Sequence, residues 1–163
     1  MNKFILLLAL CACPNIAIAA GTCTAHAEAF IGILEFDITD CHVSGWLEHD
    51  NKNGTVKGFF EVKLDELETG LDVRNKHMKE KYLETAKYPL ARFKLDPLRI
   101  GDTHFSGQLQ LHGKHNKVSG KVIKSSAKNL TVEFDLDVTE FGIKVPDYKG
   151  ITLAKRIKLT VVI

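Results

Sequence analysis

Four side chains near the N-terminus are of types that could do metal or redox chemistry: Cys23, His26, Cys41 and His42. Thiolate and imidazole are ligands that suit zinc, yet neither half of this set has a common zinc-finger spacing. The two cysteines have a second use. A tight turn centred on Gly32 puts Cys23 opposite Cys41, and cross-strand Cβ atoms ~4.5–5.5 Å apart come near what a disulfide needs. A turn at Thr39-Asp40 would instead separate them and leave two free thiols. The disulfide is the first expectation. The zinc or redox site on Cys23, His26, Cys41 and His42 is its rival.

The other polar candidates point to weaker chemistry. Arg74, Lys76, His77, Lys79 and Lys81 make one segment basic. Such a face can clamp a diphosphate or dock on anionic lipid heads, with transient contact to a membrane surface. Arg74 and His77 are the head-group or gate candidates. Asp72, Glu80 and Glu84 dilute the charge, so a solvated face is the plainer reading of the rest. His112 and His115 flank a hairpin turn; two ligands make a poor metal site, and surface histidines are expected. Asp65, Glu66 and Glu68 read as a solvated loop. There is no Gly-x-Ser-x-Gly, His-Glu-x-x-His or phosphate loop, and no nucleophile–base pair is legible. The expectation is a protein that is not an enzyme and has no cofactor or metal.

Composition narrows the partners. The chain has 163 residues, with 22 Lys+Arg against 20 Asp+Glu, a net charge of +2 and 45% apolar residues. That suits one ordinary domain. Near charge balance gives no electrostatic case for nucleic acid. No apolar run reaches the ~18 residues of a transmembrane helix.

The first residues read as an export signal. Lys3 precedes an apolar run from Phe4 to Ala12, Pro14 breaks it, and Ala17-Ile18-Ala19 offers the small residues that a signal peptidase reads. The expected division is a signal peptide over 1–19 and one domain over 20–163, located in the periplasm. Leu10-Cys11-Ala12-Cys13 also resembles a lipid-attachment box, with Cys13 as the acylated residue. Export places Cys23 and Cys41 in an oxidising compartment.

What must position these groups is mostly strand. Apolar and polar residues alternate in 55–65, 90–98, 104–113 and 129–138, most cleanly in Leu130-Thr131-Val132-Glu133-Phe134-Asp135-Leu136. Period two is the mark of a strand with one buried face. With 22–30, 33–48, 116–125 and 152–162 this makes about eight strands, punctuated by Asn53-Gly54, Gly101-Asp102 and 114–116. One amphipathic helix interrupts them, between strands three and four. Asp72 is its expected N-cap, Leu71, Met78 and Tyr82 its inward stripe, and Pro89 its end. The fold class is therefore all-β: eight antiparallel strands in an up-and-down barrel with one short helix. Closure removes exposed edges, and eight strands enclose either a packed core or one small apolar ligand. Gly58, Gly107 and Gly120 fall at inward positions; they leave volume for a ligand, or else mark bulges and corners.

The stretch from Leu67-Glu68-Thr69-Gly70 through Arg74-Asn75-Lys76-His77-Met78 to Lys87-Tyr88-Pro89 resembles the YceI-like family. Gly107-Gln108-Leu109-Gln110-Leu111-His112-Gly113 and Phe141-Gly142-Ile143 are similar to later elements of that family. The resemblance implies a secreted lipocalin-like barrel whose interior holds a long apolar tail, a polyisoprenoid or an isoprenoid quinone. Asn75 departs from the Asp that many members carry after the Arg, and the chain is shorter than typical members. On this reading Phe60, Phe93, Phe105, Leu109, Leu111, Phe134 and Leu136 line the interior. Met78 and Tyr82 join them from the helix as a lid, and the function is carriage or storage of an apolar lipid. A packed barrel acting as a protein-interaction module is the remaining alternative.

Overall fold

The computed structural model describes residues 15–28, 35–145, 147–148, 151–152 and 155–163, with side chains over 16–24, 37–145 and 155–163. The lipid-attachment box at Cys11 and Cys13, the expected turn at Gly32 and the side chain of His26 lie outside these residues. Among them, eight strands close a barrel. They are β1 (Asn15–Glu28), β2 (Glu35–Asp50), β3 (Thr55–Lys63), β4 (Leu90–Arg99), β5 (His104–Leu111), β6 (Lys114–Ser125), β7 (Leu130–Asp137) and, after a short β8–β9 pair (Asp147–Tyr148 and Ile151–Thr152), β10 (Arg156–Val162). Around the barrel the order is β1, β10, β7, β6, β5, β4, β3, β2, and every pairing is antiparallel.

The alternation seen in sequence becomes an inside and an outside. In β5, Phe105, Gly107, Leu109 and Leu111 are buried, while His104 and Gln108 face out. In β7, Leu130, Val132 and Leu136 do the same. Closure is made by a short register, Thr22–His26 against Lys158–Val162. β1 runs further along β2, with Asn15–Ala19 opposite Gly45–His49. Among the described residues this extension pairs with β2 alone, and it starts within the stretch read as a signal peptide.

The two ends of the barrel differ. At one end the connections are tight turns, including 51–54, 100–103 and 126–129. At the other, the chain leaves β3 at Leu64 and returns at Pro89, whose carbonyl accepts from the Leu64 amide at 2.9 Å. The intervening segment holds α1 (Asp72–His77) and a π-helical turn over Met78–Tyr82. Its five-residue spacing appears in the Leu83 amide bonding the Met78 carbonyl at 2.8 Å.

The helix departs from expectation in two respects. Leu71, not Asp72, is the N-cap; it is extended at φ −138°, and no side chain caps the helix. Asp72 is the first helical residue, where its charge still favours the helix dipole. Leu71 therefore sits off the inward stripe and is 56% exposed, whereas Met78 is buried.

The same end carries a 3₁₀ turn over Val138–Phe141. The Asp137 carboxylate accepts from the amide and hydroxyl of Thr139, at 3.1 and 2.5 Å. Those bonds, the Thr139 hydroxyl first, hold the Asp137 carboxyl below the usual carboxylate range, with Lys155 assisting. Gly142 closes the turn at φ +75°, a conformation that favours glycine. Phe141 is completely buried. The β6–β7 ladder pairs only Lys121–Ser125 with Leu130–Glu133, and the turn packs beside β6 with the Glu140 carbonyl accepting from Asn116 at 3.0 Å.

Candidate functional site

The barrel encloses a cavity of about 180 Å³ whose wall presents no polar atom. One face is aromatic. Phe93 of β4, Phe105 of β5 and Phe134 of β7 form an edge-to-face ladder, with centroids 6.0 and 5.6 Å apart. The other face is aliphatic, from Ile157, Leu159 and Val161 of β10 and Ile38 and Val43 of β2. Such a wall offers dispersion contacts and removal from water, at about 25 cal/mol per Å² of apolar surface, and no hydrogen bond.

The seven strand residues expected inside, Phe60, Phe93, Phe105, Leu109, Leu111, Phe134 and Leu136, all stand on this wall. Met78 and Tyr82 do not. They belong to the core packing of the helical segment, and Leu83 is the residue that reaches the cavity from it. The π turn alters the spacing from Met78 onward, so Tyr82 does not follow the α-helical stripe expected from the sequence.

The inward glycines serve the rings, and this corrects the reading of them as spare volume. A Cβ on Gly58 would meet the Phe60 ring; on Gly107 it would overlap the Phe93 ring and the Lys94 carbonyl. On Gly120 it would overlap Phe134 and approach Phe105. At each glycine an aromatic side chain and a neighbouring backbone carbonyl take the room that a Cβ would need.

Cys23 and Cys41 face each other in register and are joined by a disulfide, with Cα atoms 5.1 Å apart. Both lie on the cavity wall. With both sulfurs bonded to each other, the expectation of thiolate zinc ligands fails. His42 is exposed and sits 3.9 Å from Glu66. Among the described residues no group of three or more His, Cys, Asp or Glu could hold a metal.

The lid over the mouth is clamped rather than loose. The buried Asn75 carbonyl oxygen accepts from the Thr69 amide at 2.8 Å and the Thr69 hydroxyl at 2.7 Å. Its amide nitrogen donates to Glu68. Glu68 also receives Lys79 at 2.8 Å, and its backbone forms a two-bond bridge with Thr39 at the edge of β2. Arg74 donates to the Thr69 carbonyl at 3.2 Å. The Thr-Gly, Arg and Asn positions of the sequence block thus meet in one polar knot. Asn75 fills its place well because one amide offers both an acceptor for Thr69 and a donor for Glu68. His77 is exposed.

His112 corrects the expectation of a surface histidine. Its side chain is 13% exposed and packs on Tyr88, centroids 4.5 Å apart. Nδ1 lies 3.3 Å from the Phe141 carbonyl and Nε2 lies 3.5 Å from Glu84. It joins the hairpin tip, the return of the lid and the 3₁₀ turn. His115 is exposed.

A closed eight-stranded antiparallel barrel with a wholly apolar interior belongs to the class whose interior is either filled by side chains or holds one small ligand. The chain belongs to the YceI-like domain family, whose sequence profile matches residues 21–163. Solved structures with the same fold include a polyisoprenoid binding domain from Saccharophagus degradans implicated in plant cell wall breakdown. It is 17% identical, with a TM-score of 0.66 over 92% of this chain and 97% of that one. Burkholderia cenocepacia BcnA is 15% identical, with a TM-score of 0.68 over 86% and 94%. A Campylobacter jejuni YCEI protein is 14% identical, with a TM-score of 0.58 over 74% and 78%. No curated protein sequence matches the chain significantly.

Proposed function

We propose that this protein is a non-enzymatic carrier or store of an apolar lipid, an isoprenoid or the tail of an isoprenoid quinone, held inside the barrel. The observation that carries the reading is the cavity wall: continuous carbon and sulfur, without a donor or acceptor to direct chemistry. The polyisoprenoid binding domain of the same fold supports the choice of ligand class. The polar head stays outside, because burying it among these residues would leave its hydrogen bonds unmade, at about 1–3 kcal/mol each. Arg74 and His77 are the head-group candidates on the lid.

We place the protein in the periplasm after loss of residues 1–19. Of the described residues, cleavage after Ala19 would remove Asn15–Ala19, which pair with β2, and would keep the closing register of Thr22–His26 with β10. An intact-mass measurement on the exported protein tests this division.

The ligand is tested by solvent extraction and mass spectrometry of protein purified gently from its own cells, beside a Phe134→Arg variant. A stoichiometric prenyl species in the wild type, absent from the variant, is the expected result. An empty wild type that is fully folded would overturn the carrier reading and favour an interaction module.

A further inference from the structure

β2 changes phase along its length. Cys41, Val43 and Leu47 are buried from odd positions, whereas Ile38 faces the cavity from an even one. A bulge makes the shift. Cys23 pairs with Cys41 and Ala25 with Ile38, so Thr24 of β1 stands opposite both Thr39 and Asp40. Asp40 takes φ +53°, in the left-handed region that is costly for a residue with a Cβ.

The same bulge holds the base of the lid. The Thr39 amide donates to the Glu68 carbonyl at 2.7 Å, and the Thr39 carbonyl accepts from the Glu68 amide at 3.1 Å. The Glu68 carboxylate in turn receives Lys79 of the π turn at 2.8 Å and the Asn75 amide of α1. Contacts therefore run unbroken from β2 through Glu68 into both helical turns. At the barrel end they start beside a covalent tie, because Cys41 follows the bulge directly and is bonded to Cys23. A ladder carrying one extra residue can be paired in more than one way, and its register depends on which side chains are held inward. The bond holds Cys41 opposite Cys23 and so fixes where the extra residue falls.

We infer that the Cys23–Cys41 disulfide is the latch of the lid. Once it is formed, the bulge at Thr39 and Asp40 is fixed and Glu68 stays anchored. Without it the lid base comes free, so the barrel retains a ligand only after oxidation. That step joins the two Sγ atoms, and two protons and two electrons pass from the thiols to an oxidant disulfide, which becomes a dithiol. An oxidising compartment supplies such an oxidant. Both cysteines are buried, so the latch is set as the barrel folds. The latch stands on geometry; what it retains rests on the tail-site reading.

The test compares protein refolded oxidised with protein refolded in reductant, by nuclear magnetic resonance. Cross-strand contacts between Thr39 and Glu68 should be present in the oxidised form and lost in the reduced form. Those between Gly107 and Val118 should persist in both, as the sign of a closed barrel. Preloaded geranylgeraniol should leave the reduced form about tenfold faster, the scale of one backbone hydrogen bond lost at the lid base. Thr39→Pro in the oxidised protein removes the donor to Glu68 and should reproduce the faster release. This variant decides the question if the reduced chain does not fold. Thr39–Glu68 contacts and slow release that survive reduction, or wild-type release from Thr39→Pro, would overturn the latch. Loss of those contacts on reduction, with no geranylgeraniol bound to either form, would support the latch and overturn the tail site.

Discussion

Reduction of the Cys23–Cys41 disulfide offers a perturbation whose size follows from the chain itself. The two residues are 18 apart in sequence. The loop-entropy relation for a ring of that size gives about 3 kcal/mol of stabilisation at 25 °C. For a domain of this length that corresponds to about 10 °C in Tm. Reduction is preferable to substitution, because both sulfurs line the cavity and replacing them by smaller groups would add a cavity penalty to the ring effect. Both cysteines are buried, at 8% and 6% exposure, so the protein should be unfolded in reductant, alkylation avoided, and refolded with reductant present. Urea titrations of the oxidised and reduced forms, followed by far-UV circular dichroism, give the difference. The denaturant slope should rise on reduction, since the unfolded chain expands once the ring is opened. A difference below about 1 kcal/mol, with an unchanged slope, would refute the argument that the bond acts by restraining the unfolded chain.

Three further outcomes are expected. Asn75→Ala leaves the buried Thr69 amide without its acceptor and should cost about 1–3 kcal/mol in urea titration. Loosening of the lid should show as faster hydrogen exchange across 68–79. Gly107→Ala places a methyl against the Phe93 ring and the Lys94 carbonyl; overpacking of about 1–3 kcal/mol should follow, visible as a lowered Tm. Asp137 titrates with the 3₁₀ turn: its carboxyl is depressed below 3.8, so its stabilisation is complete above that value and is lost as pH falls through the depressed pKa. Relative to Asp137→Asn, the wild-type advantage in Tm should therefore be constant from pH 7 to 5 and shrink below pH 4.

The strands were legible because each buries one face: Leu130, Val132, Phe134 and Leu136 alternate with polar partners, and register follows from that period. The cavity-lining phenylalanines and leucines on β3, β4, β5 and β7 were legible for the same reason. The Cys23–Cys41 pairing was legible as one of two turn alternatives, but the lining residues of β10 were not, because Ile157, Leu159 and Val161 look the same whether they pack a solid core or line a cavity. The position of the glycines along the strands was visible, but the rings lying over them come from neighbouring strands as well as their own, and pairing decides which. Phe93 reaches Gly107 only because β4 and β5 are in register at Leu95 and Gly107. The lid was readable as a helix from its composition. Its π turn was not, since a shift from four-residue to five-residue hydrogen bonding at Met78–Leu83 leaves no mark in composition or apolar spacing. His112 gave no sign of burial because its partners, Glu84 and Tyr88 before β4 and Phe141 after β7, come from two segments distant from it in sequence.

The central claim, an apolar chain lying inside the barrel, is tested most directly by isotope-filtered nuclear magnetic resonance with unlabelled geraniol and methyl-labelled protein. Cross-peaks from the chain to the methyls of Val132, Leu136, Ile157 and Leu159 are predicted, with none to Leu71 or Val73 on the outer face of the lid. Cross-peaks to Leu71 and Val73 alone, or saturable binding with no contact to the interior methyls, would contradict the account.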